Sequence, residues 1–177
     1  LFDANPTSAA AARDVSVSLN KLGDFYVSRG QEGDAERALK AFEDSLPIDK
    51  RLFDANPTSA AAARDVSVSL NKLGDFYVRR GQEGDAERAL KAFEESHLTL
   101  KRLFDANPTS AAAARDVSVS HWMLARVYNQ TENATETQRH LTACFAILDS
   151  FHRERRPMDP QMRQLHAHLL QILVAPE

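Results

Sequence analysis

His140 and Cys144 are the residues whose types and spacing first suggest chemistry. Four positions apart on a helix they share a face, and an imidazole beside a thiolate is half of a common zinc ligand set. Two observations argue against a metal centre. Both residues replace apolar ones, Ala89 and Phe93, when the chain is aligned on its own internal repeat, and His166 and His168 are two apart, which turns their rings away from each other on a helix. Cys144 is the only cysteine, so no intramolecular disulfide can form, and the thiol reads as a small buried hydrophobe. A nucleophile motif, a glycine-rich phosphate loop after a strand, and an acid–base pair standing outside the repeat are all missing from the sequence. The expectation is therefore no catalytic residue, no metal, no cofactor and no enzymatic activity.

A different chemistry, hydrogen bonding to a partner, is carried by residues that recur. Asn20 and Asp24 return as Asn71 and Asp75, while the third pair in the series is Trp122 and Arg126. Amides spaced along successive helices can bond a peptide backbone, and Trp and Arg are the residue types that most often anchor an interface. These six residues are the candidate partner-binding set, changing from amide and acid to aromatic and base towards the C-terminus. The alternative for Trp122 is burial under the last helix.

The elements that must position them repeat every 51 residues, with units beginning at Leu1, Leu52 and Leu103 and sharing LFDANPTSAAAARDVSVS. The first two copies differ at six positions: Ser28/Arg79, Asp44/Glu95, Leu46/His97, Pro47/Leu98, Ile48/Thr99 and Asp49/Leu100. Self-similarity at such a period marks a solenoid, and the divergent third copy reads as its terminal unit. Within a unit, Asn5-Pro6-Thr7-Ser8 is a break followed by a helix start with Ser8 as cap. Ala12, Val15, Leu19, Leu22 and Tyr26 then form one helical stripe ending near Gly30. Asp34 is the expected cap of a second helix, with Ala35, Ala38, Leu39, Phe42 and Leu46 on one side, running to about Ala55. Pro47 lies inside it and is expected to kink it or cost about 3 kcal/mol.

Leu19-x2-Leu22-Gly23-x2-Tyr26 followed by Ala38-x3-Phe42, repeated in the second copy, resembles the tetratricopeptide repeat, whose pattern has W-x2-L-G-x2-Y and A-x3-F. The period departs from the family's roughly 34 residues, and the chain looks like a long-helix bacterial variety. The resemblance implies an all-α solenoid of stacked antiparallel hairpins, a TPR-like superhelix whose first helices line a concave groove. In it Gly23 and Ala38 would let the paired helices approach, and Leu19, Leu22, Tyr26 and Phe42 would fill the space between them.

The organisation expected is one domain over 1–177: residues 1–7 as the tail of a truncated repeat, hairpins over 8–58, 59–109 and 110–156, and a capping helix over 157–177. In the third hairpin Thr135-x2-Gln138 is read as a capping box. Asp159-Pro160 opens the last helix, with Met162, Leu165, Leu169 and Ile172 on its packed face. Leu170, Leu173 and Val174 lie beside that face as surplus apolar surface, which suggests weak homodimerisation.

A net charge of -3 and 27% charged residues give no electrostatic case for nucleic acid or an anionic membrane, and no apolar run approaches the roughly 18 residues that span one. The lone cysteine suits a reducing compartment, hence a cytoplasmic location. The function expected is a scaffold that binds a peptide or partner helix. The alternatives are a regulatory or sensor arm of a larger bacterial signalling or effector enzyme, and a self-assembling structural protein.

Overall fold

A computed structural model of the chain describes residues 8–174; the expected helix tail at Leu1 to Ala4 lies outside them. Seven helices occupy the described residues and no strand is present among them: α1 Ala9–Arg29, α2 Asp34–Ala55, α3 Ala60–Arg80, α4 Asp85–Ala106, α5 Ala111–Gln130, α6 Ala134–Arg153 and α7 Pro160–Val174. The fold is all-α, built from helical hairpins. The punctuation follows from the repeated sequence. Ser8, Ser59 and Ser110 each accept an amide hydrogen bond from the residue three on, Ala11, Ala62 and Ala113, at 3.2, 3.2 and 3.3 Å. Gly30 and Gly81 end α1 and α3 in the left-handed conformation, at φ 62° and 63°, where a Cβ would be strained.

Asp34 does not cap α2. Gly33 takes that place at φ 77°, and Asp34 is the first helical residue with its side chain turned into the turn itself. There its carboxylate accepts from Arg29 Nε at 2.7 Å, from the Gln31 amide at 3.0 Å and from Arg37 at 3.1 Å. The Arg29 guanidinium, more than any other contact, holds the Asp34 carboxyl well below the usual carboxylate range, against the opposing effect of burial. Arg80, Gln82 and Arg88 repeat the clamp on Asp85. The turn of each of these hairpins is thus locked by a charged knot.

The described residues divide into two compact units, 8–99 and 100–174. In the first, α1 packs on α2 and α2 on α3. Gly23 allows the first contact, because the ring of Phe42 lies where a Cβ on residue 23 would stand. At Gly74 the same Cβ would come within 2.6 Å of the Phe93 ring. The expectation that Gly23 lets the paired helices approach therefore holds, and Gly74 repeats it; Ala38 is fully buried and joins a core with Leu73 and Phe76 of α3. One core joins Ala38 and Phe42 to Leu73 and Phe76, with Phe42 and Phe76 meeting edge to face at 6.2 Å, and a second joins Val66, Leu70 and Ala92. Leu22 departs from expectation: it is 42% exposed rather than packed between the helices, because its side of α1 faces away from α2. α2 runs through Pro47, an exposed position, without a break in the helix.

In the second unit α5 packs on α6, and α7 lies against both. Its core is Ala114, Cys144, Leu148, Phe151, Met162 and Leu169, with Trp122, Leu141, Phe145, Leu165 and Leu173 around it. The cap of α6 is Asn133, which accepts from the Glu136 amide at 3.2 Å, and not Thr135, which already lies inside the helix. The start of α7 is as the sequence suggests: Asp159 accepts from the Met162 amide at 2.9 Å and Pro160 is the first helical residue. Two residues of α7 exchange their expected roles. Ile172 is 49% exposed, whereas Leu173 packs on the core; Leu170 is exposed as expected.

Candidate partner-binding site

Asn20 lies in an interior seam and not on an open groove. It is 8% exposed; its Nδ2 donates to Ser69 Oγ at 2.8 Å, and its Oδ1 accepts from Ser45 Oγ at 3.1 Å. Ser69 in turn donates to Asp49 at 2.6 Å, so α1, α2 and α3 are joined by a string of polar side chains where apolar packing would be the simpler solution. Burial pushes the Asp49 carboxyl above its ordinary pKa, and hydrogen bonds from Ser16 and Ser69 offset only part of that rise. Asn71 is likewise half-buried, with its Oδ1 enclosed in the protein. Asn20 therefore bonds the hairpin stack, whereas the buried Asn71 Oδ1 has no hydrogen-bond partner among the described residues. A signal for this was present in the sequence: serines at 16, 45 and 69 fall among apolar stripe positions, and buried hydroxyls need polar company.

The two aspartates are placed differently. Asp24 is exposed and takes both carboxylate contacts from Lys72 Nζ at 2.8 Å, an α1 to α3 bridge. Asp24, Lys72, Asp75 and Arg79 together line a depression floored by Val27, Phe42 and Phe76. Two acids and two bases meet there, so the surface has alternating charge and no net sign. Arg13 and Asp65 make a second α1 to α3 bridge, at 2.5 and 2.9 Å, that the sequence reading did not anticipate.

Trp122 and Arg126 are brought together. With Ala125, Asn129, Thr137, Leu141 and Ile172 they line a cavity of about 260 Å³ open to solvent on one side. Trp122 is half-buried and meets His168 of α7 edge to face at 5.3 Å, so the last helix covers one edge of the indole while the cavity reaches the rest. Arg126 is exposed at the rim and makes no ion pair with a described residue. The floor is apolar and the rim cationic.

The histidine and cysteine pair serves packing. The Cys144 thiol is fully buried and donates to the Ser118 carbonyl at 3.2 Å, and burial pushes its pKa up to about 12, far from a reactive thiolate. His140 is buried with its Nδ1 2.9 Å from His121 Nδ1, a contact in which one ring must present an unprotonated nitrogen, and its ring stacks on Tyr128. Among the described residues no three His, Cys, Asp or Glu side chains gather as a metal would require.

No family model matches the sequence, and no curated protein matches it. The fold does have a counterpart among solved structures. The chain is similar to the crystal structure of a de novo designed helical repeat protein, DHR64, with 16% sequence identity and a TM-score of 0.62 over 93% of this chain and 82% of that one. A DHF79 filament aligns at 13% identity over 88% of this chain and 96% of that chain, with a TM-score of 0.35. The first likeness concerns fold alone. This chain has a helical-repeat fold.

Proposed function

We propose that this chain is a tetratricopeptide-type binding module for a protein or peptide, with the cavity around Trp122 and Arg126 as its anchor point. One observation carries the reading: a half-buried indole, Leu141 and the exposed Ile172 surround a space with Arg126 at its rim. An apolar side chain of a partner fits the floor, and an acidic neighbour on the same partner fits the arginine. The tetratricopeptide assignment is supported by the paired spacings around Gly23 and Phe42, whose close approach those spacings serve. On this reading the work is binding rather than catalysis, without cofactor or nucleic acid, in a bacterial cytoplasm. No helix among the described residues is long and apolar enough to cross a membrane.

Two further roles are compatible with the fold. As the regulatory arm of a larger signalling or effector enzyme, the chain would use the cavity to sense a partner. Weak self-association through α7 is supported by Leu170, which is 44% exposed.

Affinity capture on the isolated chain, followed by mass spectrometry, supplies the partner. The same capture with Arg126→Glu and with Trp122→Ala then tests the site. Arg126→Glu is expected to melt with the wild type and lose the partner; equal recovery by both variants would place binding elsewhere.

A further inference from the structure

Residues 9–27 of α1 and 60–78 of α3 are identical in sequence, yet one face of the two helices is buried very differently. Leu73 is 6% exposed and Leu22 42%; Phe76 is 6% exposed and Phe25 53%. Ser69 is fully buried, while Ser18 is exposed and donates back to the Asp14 carbonyl of its own helix at 2.7 Å. The chemistry of the two faces is the same, so the difference lies in what covers them. On α3 the cover is α2, which presents Ala38 and Phe42 to Leu73 and Phe76, and Ser45 and Asp49 to Ser69. These four residues of α2 are spaced i, i+4, i+7 and i+11, a single helical stripe.

We infer that the Ser18, Leu22 and Phe25 face of α1 is a docking site for an amphipathic partner helix carrying Ala-x3-Phe-x2-Ser-x3-Asp. The chain itself supplies the template, since the α2 to α3 contact is this interaction made internally. The alanine permits close approach, the phenylalanine meets Phe25 edge to face as Phe42 meets Phe76, and the serine and aspartate receive the Ser18 hydroxyl once it leaves its own carbonyl. With no described helix over them, Leu22 and Phe25 form paired apolar exposure of the kind that marks interaction sites. The face belongs to the first unit and shares no residue with the Trp122 cavity, so the two sites stand or fall separately.

The test uses the full chain titrated with a fluorescent synthetic peptide of residues 34–55, read by anisotropy. A second probe carries Pro47→Leu to keep the peptide helical. Saturable binding is expected, weakened at least about tenfold by Phe25→Ala in the chain or Phe42→Ala in the peptide, and unchanged by Arg126→Glu. Phe25 is exposed, so its variant should melt with the wild type. Failure of both probes to saturate, or binding indifferent to Phe25→Ala, overturns the proposal. Sedimentation of the chain alone supplies the other outcome: a concentration-dependent dimer that Phe25→Ala abolishes would assign the face to a second copy and overturn the helix.

Discussion

Ser69 donates a hydrogen bond to Asp49 at 2.6 Å inside the seam of the first unit, and the acid's counterpart one repeat on is Leu100. A carboxylate whose folded pKa is raised by burial favours folding most when it is protonated. Its contribution is fully present below the ordinary aspartate pKa of about 3.9 and is lost as pH rises through the raised value. Asp49→Asn keeps an acceptor for Ser69 without the charge. It is expected to raise the melting temperature near neutrality and to leave it unchanged near pH 4, measured by circular dichroism across that range.

Asp34 and Asp85 have the opposite sign. Their arginine partners depress the folded pKa, so their contribution is fully present above about pH 4, declines below it, and is gone only once the pH has fallen through the depressed folded value. Asp34→Ala should therefore lower the urea midpoint most at pH 7 and somewhat less at pH 3, where the unfolded aspartate is already largely protonated and the folded one is not. An equal effect at both values would mean that the carboxylate's charge is not what holds the turn.

Gly74→Ala places a methyl against Phe93, which is itself buried. Better helix propensity favours alanine by about 1 kcal/mol, but overpacking of this kind costs about 1–3 kcal/mol. A net loss of stability is expected. Phe93→Leu in the same chain should return part of it, a coupling that a double-mutant cycle measures.

Pro47→Leu restores an amide to α2 at an exposed site where the second copy already carries Leu98, itself 57% exposed. A gain of up to about 3 kcal/mol is expected. A lower melting temperature would show that the ring's shape at this point is needed by the α2 to α3 contact.

Helices, their serine-capped starts and their glycine ends were legible because apolar spacing and caps are local properties, whereas the starts of α2 and α6 fell to Gly33 and Asn133 rather than to the expected Asp34 and Thr135. The close approach at Gly23 was legible for the same reason: a glycine on one helix and a phenylalanine on the next recur together in both copies. The burial of Asn20 was not. Two flanks border any apolar stripe, and periodicity alone does not say which of them meets the next hairpin; only the hydroxyls of Ser45 and Ser69 decide it. Leu22 was illegible in a stricter sense, since Leu73 has the same sequence neighbours and the opposite burial. Trp122 and Arg126 drew notice because the third copy breaks the pattern there; His168 of α7 covers one edge of the indole and the rest of it borders the cavity.

Near-identical repeats invite exchange of equivalent helices between molecules, and the seam at Asp49 acts as a register key against it. Were α4 of another molecule to take the place of α2 on α3, Ser69 would meet Leu100 where it now meets a carboxylate. The hydroxyl would keep a serine neighbour, since Ser96 stands where Ser45 now lies 3.2 Å away, but it would lose the carboxylate acceptor, at about 1 kcal/mol. Of the five positions at which α2 and α4 differ, Asp49 is the one that meets Ser69, and it biases the chain towards its own partner.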